Sequence, residues 1–232
     1  MIGNGEPTLY AGLGALIRGI RKYITKPIAV ITNGALLYDP TVRCELKEAD
    51  IVMPSLDAYD EDSFHKINRG HWGLGFERIL SGIIEFSHEY TGDLWLEIML
   101  IGGINDNDEA LEKLRNLTKL IRFNRLYINT PIRPPAESWV TVSSPDRLER
   151  AVWILGGTSI EHFSSSPYQS SIEDDYRAVL SLIGRHAMRE QEIIEFLERR
   201  GNSVIDSILH RLNKDTDVEK IYYQDTIIYR KK

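Results

Sequence analysis

The feature that most constrains this chain is a repeated change of period. Short, nearly continuous apolar runs alternate with stretches that are apolar at every third or fourth position. Four runs carry the strand signal, at 28–32 (IAVIT), 51–55 (IVMPS), 94–101 (LWLEIMLI) and 126–129 (LYIN). Runs apolar on both faces mark strands covered on both sides, as in parallel sheets. The stretches 13–23, 40–47, 76–90 and 108–121 have helical spacing, with Asp39 before Pro40 and Asn107 before Asp108 as start signals. Strands and helices in turn predict an α/β fold with mostly parallel strands. Each strand run ends in a polar or glycine-rich turn. In parallel α/β architectures such turns share one face, where ligands bind.

After residue 131 the pattern changes. A Pro-rich stretch at 131–135 leads to a helix at 145–155, and the Gly-Gly and Ser-Ser elements of 156–171 read as a linker. Beyond it, 172–184, 188–200 and 203–213 have helical spacing. Two strand-like runs follow at 219–223 and 226–229, parted by Gln224-Asp225, so the ending resembles a winged helix. The chain therefore divides into an α/β part at 1–155, a linker at 156–171 and a small module at 172–232. The third helix of that module offers only His210, Arg211 and Lys214, with Asp206 among them, and the whole chain carries a net charge of -6. Phosphate contacts dominate nucleic-acid affinity, so this argues against DNA as a partner. No apolar run approaches the roughly 20 residues that span a bilayer, and no basic-then-apolar leader opens the sequence, so no membrane association and a cytoplasmic location are expected.

The sharpest local motif is Gly3-Asn4-Gly5-Glu6-Pro7-Thr8-Leu9, flexible backbone beside a carboxylate ahead of a helix. Further polar elements follow in order: Thr32-Asn33-Gly34, Pro54-Ser55-Leu56-Asp57-Ala58, Asn68-Arg69, Glu97 with the turn at 102–106, then Asn129-Thr130-Pro131 and Arg133-Pro134-Pro135. Taken together over about residues 1–155, they resemble the radical S-adenosylmethionine (radical SAM) superfamily.

The resemblance implies a partial (β/α) barrel with a 4Fe–4S cluster and S-adenosylmethionine at the strand C-termini. In the family the cluster cleaves the cofactor reductively, and a 5′-deoxyadenosyl radical abstracts substrate hydrogen. It implies that Gly5, Glu6 and Pro7 receive the methionine amino group and that Thr32 and Asn33 border the pocket. Ser55 and Asp57 would meet the ribose or the methionine carboxylate, and Asn105 and Asn129 would close the nucleoside side. On their residue types alone, Ser55 and Asp57 equally suit a turn cap and Asn105 a helix start. Glu97 shares a strand face with Trp95 and Met99, and faces either the barrel interior or a helix. An inward Glu97 would hold substrate or an arginine such as Arg69; Arg133 serves either an anionic substrate or a pair with Glu137.

One departure from the family matters most. Its Cys-x3-Cys-x2-Cys loop is absent, and Cys44 is the single cysteine, expected to be a small buried apolar group in a helix. The six histidines show no metal-ligand spacing. The chain then reads as the cofactor-pocket half of a radical SAM oxidoreductase of unknown substrate, inactive by itself, whose partner is a polypeptide carrying the other barrel half. A fragment, a misassigned start and a split protein all fit that reading. The competing readings are a non-catalytic binding or assembly protein and an α/β enzyme of unrelated chemistry. Three thiolates anchor a 4Fe–4S cluster in this family and one cannot. Anaerobic reconstitution of the 232-residue chain with iron and sulfide is therefore expected to yield no stoichiometric cluster absorbance or spin-resonance signal; such a signal would overturn this reading.

Overall fold

The apolar runs pair side by side in chain order. A computed structural model describes residues 5–70, 73–131, 134–135, 137–159, 168–202, 204–223 and 226–232. Gly3, Asn4, Arg133 and the Gln224-Asp225 turn lie outside those residues. The described chain forms two units, one of Gly5–Pro131 with Glu137–Glu161 and one mainly of His162–Lys232.

In the first unit, strands β1 (Ala29–Thr32), β2 (Ile51–Pro54), β3 (Asp93–Met99), β4 (Arg125–Asn129) and β5 (Thr158–Ser159) form one parallel sheet in the order β1-β2-β3-β4-β5. Sequential neighbours with helical crossovers give a partial (β/α) barrel rather than a doubly wound sheet. Helix α1 (Leu13–Arg21) precedes β1, and the crossovers carry α2 (Pro40–Leu46), α3 (Glu61–Ile67), α4 (Phe76–Glu89), α5 (Asp108–Thr118) and α6 (Pro145–Leu155). Asp39 caps α2 ahead of Pro40, Asn107 caps α5, Ser144 caps α6 ahead of Pro145, and Asp60 with Ser63 makes a capping box on α3.

The strands do not share their burial equally between faces. Val30, Val52, Leu94, Leu96, Ile98, Leu126 and Ile128 are buried in one core with the helices. The alternate residues Ile31, Met53, Trp95, Glu97 and Met99 remain partly or largely accessible. The helices of this unit thus cover one face of the sheet, and among the described residues the other face is the more accessible one, although Tyr127 on it is buried.

Three local differences from the sequence pattern have physical causes. The 94–101 run leaves the sheet after Met99 because Ile101 pairs with Val142 and Gly102 N–H donates to the Thr141 carbonyl. Thr158 and Ser159, expected in the linker, pair with Tyr127 and Ile128 as the edge strand β5. Cys44 is exposed, because the inward positions of α2 go to Arg43 and Leu46.

In the second unit, α7 (Asp175–Ile183), β6 (Met188–Arg189), α8 (Glu190–Arg199), α9 (Ile205–Lys214), β7 (Val218–Tyr223) and β8 (Thr226–Lys231) follow in sequence. The strands form an antiparallel sheet in the order β6-β8-β7. Its core joins Val179, Leu182, Ile193, Leu197, Ile208 and Tyr229. The expected helix at 188–200 begins two residues late because Met188 and Arg189 pair with Tyr229 and Ile228. Among the described residues, no helix is long and apolar enough to cross a membrane.

The tightest packing in the first unit is at Leu37 and Tyr38. Buried Arg43 donates to both of their carbonyls and pairs with Glu85 and Glu89 of α4. A Cβ on Gly82 of α4 would lie 2.3 Å from Tyr38 N, so only glycine permits this approach. Gly19 in α1 has nothing within 4 Å of the same position. We expect Gly82→Ala to cost about 2–4 kcal/mol through overpacking and Gly19→Ala to gain up to about 1 kcal/mol of helix propensity. Urea denaturation of both variants checks this; equal effects would refute the packing argument.

Candidate functional site

At the C-terminal end of β1 the chain makes a tight polar turn. Thr32 is buried; its hydroxyl donates to Glu6 Oε1 at 2.5 Å and accepts from Gly34 N–H. Exposed Asn33 donates its N–H to Glu6 Oε2 at 2.7 Å and caps Ala35 with its side-chain oxygen. Glu6 Oε1 also accepts from the Thr8 amide and hydroxyl. Its carboxylate is therefore taken up by four donors of its own chain. It staples the opening turn, where Gly5 sits at φ +93° and Pro7 starts a 3-10 helix at Pro7–Leu9, onto β1. The polar groups this turn leaves for a ligand are backbone groups rather than the Glu6 side chain.

Asn105 plays a similar part between β2 and β3. It is fully buried, donates to the Asp57 and Met99 carbonyls at 2.8 and 2.9 Å, and accepts from Ile101 N–H at 2.7 Å. The amide straps two strand ends together. Buried Asp106 beside it accepts from Gly103 N–H and the Ser143 hydroxyl, which fixes the glycine turn.

The open face is different. Ser55, one residue beyond β2, donates its hydroxyl to Glu97 Oε2 at 3.2 Å, and Asn129 at the end of β4 donates its amide to Glu97 Oε1 at 2.6 Å. Glu97 therefore faces the barrel interior and links both sites across β3. The sequence could not choose its face, because alternation gives relative orientation and not which side the helices cover. No ion pair to Glu97 occurs among the described residues. Arg69, at φ +49°, pairs instead with Glu137.

Asp57 lies beside this group. Its Oδ1 accepts from Met99 N–H at 2.8 Å, while Oδ2 accepts from no described residue. Dense surrounding protein pushes its carboxyl up to about 7, the Met99 amide opposes that shift, and the Glu97 charge adds to it. A cleft of about 120 Å³ runs beside these groups, lined by Asn33, Ser55, Asp57 and Asn68 with apolar walls from Phe64 and Ile79. Perturbed carboxylates in clefts mark functional sites.

Against known proteins, the Radical SAM superfamily profile matches residues 1–116. The chain belongs to the radical SAM superfamily. It is 31% identical to a UPF0026 protein of Methanocaldococcus jannaschii over 99% of this chain and 73% of that one. It is 48% identical to a probable GTP 3′,8-cyclase of Thermoplasma volcanium over 28% of this chain and 20% of that one. The fold of a pyruvate-formate lyase-activating enzyme domain from Bacteroides vulgatus superposes with a TM-score of 0.52 at 17% identity, over 67% of this chain and 93% of that one. Typical radical SAM proteins use S-adenosylmethionine and a 4Fe–4S cluster.

The residues present suit these two groups unequally. Asp57 has an oxygen with no donor among the described residues, and Ser55 and Asn129 keep hydrogen-bonding capacity beyond Glu97, a set that suits a polar nucleoside ligand. A cluster is not accommodated: Cys44 is an isolated, exposed thiol, and among the described residues no three His, Cys, Asp or Glu side chains converge on a metal position.

A carboxyl held above its ordinary value binds its proton more readily in the native chain than in the unfolded one. Stability therefore falls as pH rises from about 4 to about 7, then stays level. Asp57→Asn removes that titration, so the variant is expected to match the wild type near pH 4 and exceed it by about 4 kcal/mol at pH 8. Thermal melts across that range decide the matter; parallel curves would show that Asp57 ionises freely.

Proposed function

We propose that this chain supplies the S-adenosylmethionine-facing part of a radical SAM oxidoreductase, with cluster thiolates contributed by polypeptide other than these 232 residues. The observation that carries the reading is the convergence of Ser55, Asp57, Glu97 and Asn129 at the C-terminal strand ends, on the one sheet face that helices leave open. Ligands in parallel α/β folds bind at that end. When bound, the cofactor supplies one-electron hydrogen-abstraction chemistry. The chain's own residues would hold and orient it: Asp57 and Ser55 toward hydroxyl groups, Asn129 toward the nucleoside side, and the backbone of the Gly5–Pro7 turn toward an ammonium group. β1 is an edge of the described sheet, and that edge suits a further barrel segment.

For the second unit we propose a winged helix that contacts a protein partner. Its element order and the β6-β8-β7 sheet support that architecture. Arg211 of α9 already lies over the Tyr176 ring at 3.7 Å, which leaves few cations on α9 for phosphates.

Titration of the isotopically labelled chain with S-adenosylmethionine, followed by amide NMR, tests the pocket. We expect amide shifts confined to residues 5–6, 32–35, 55–58, 97–99 and 128–130, with a dissociation constant on the order of 0.1–1 mM because the cluster contact is missing. Shifts elsewhere, or none at millimolar ligand, would refute the assignment.

A further inference from the structure

We propose that Glu97 is the positioning residue of this pocket, acting on a ligand through Ser55 and Asn129; the proposal rests on the pocket reading above. Glu97 stands on the central strand β3 between a donor from the β2 side and a donor from β4. Each carboxylate oxygen takes one of them. A serine hydroxyl rotates freely and an asparagine amide fits a pocket in two orientations. Donation to a fixed acceptor removes both freedoms. The Ser55 proton and one Asn129 N–H point at Glu97, so the Ser55 lone pairs and Asn129 Oδ1 are left to accept hydrogen bonds. Glu97 thereby makes Ser55 an acceptor and fixes Asn129 with its Oδ1 and its second N–H turned to the pocket, an arrangement that suits a hydroxyl- or amine-bearing ligand.

Nothing else in the described chain performs this task. The backbone link between the same strands, Leu56 N–H to the Glu97 carbonyl at 2.9 Å, already holds β2 to β3. A half-buried carboxylate without a cationic partner is a costly way to add strand cohesion. Its cost is understandable if the acceptor direction of its neighbours is what matters.

The test uses the full 232-residue chain with Glu97→Ala, Glu97→Gln, the Ser55→Ala/Asn129→Ala double variant and the triple variant carrying Glu97→Ala. Amide spectra establish that each is folded, and S-adenosylmethionine is the probe. A positioning role predicts about tenfold weaker binding for Glu97→Ala in the wild-type background but less than about twofold in the double-variant background. Glu97→Gln can still accept from Asn129 but presents an N–H to Ser55, whose acceptor direction is then lost, so its binding should fall between that of the wild type and that of Glu97→Ala. Without ligand, the Asn129 side-chain amide protons should exchange faster with water in Glu97→Ala than in the wild type. Additive losses, Glu97→Gln as weak as Glu97→Ala, or unchanged Asn129 exchange would each overturn the proposal while leaving the pocket in place. Absence of binding by the folded wild-type chain would overturn the pocket reading and this inference together.

Discussion

The structure depends on a division of labour between the two faces of one sheet. Side chains alternate across a strand, so a parallel sheet with helices on a single side must put its core residues at every second position. Val52, Leu96 and Ile98 do that here, wholly excluded from solvent. The residues between them are then released from packing. That release is why Ser55, Glu97 and Asn129 can be polar within apolar strands without unfolding the sheet, and why their side chains meet one another rather than a helix.

Strand ends pose a second problem, because the loops leaving them bring backbone amides and carbonyls out of the ladder. The chain meets those groups with short polar side chains. Glu6 takes the Asn33 amide, and Asn105 takes the Ile101 amide and the Asp57 and Met99 carbonyls. Rigid turns follow from this satisfaction, and rigid turns are what hold Asp57 against Met99 at the pocket's edge. The stapling residues and the ligand-facing residues are therefore coupled links of one construction.

Much of the first unit was legible in the sequence because its signals are long or doubly apolar. The four strand runs and the helices starting at Leu13, Pro40, Phe76, Asp108 and Pro145 fall where periodicity and caps place them. What escaped was short: β5 and β6 have two residues each, too few to show a period, and α3 spans seven residues behind a capping box. Cys44 was misplaced for another reason. Small apolar character predicts burial on average, yet on α2 the long Arg43 reaches inward to the Leu37 and Tyr38 carbonyls and takes an inward position.

The candidate site was legible as residue types and not as roles. Glu6 and Asp57 are both acids in turns beside glycine or small residues, and nothing in one dimension separates them. Among the described residues Glu6 has four donors and Asp57 has one, while Asp57 also lies near a second carboxylate, Glu97. A satisfied acid is structural, since its desolvation is already offset by its neighbours. An acid with an oxygen that no described side chain or amide fills can take a donor from a ligand in its cleft. Native sequences break local rules mainly where function requires it. The incomplete satisfaction of Asp57, set against the complete satisfaction of Glu6 and Asn105, is thus the physical ground for locating ligand contact on the open face between β2 and β4 rather than at the glycine turn's carboxylate.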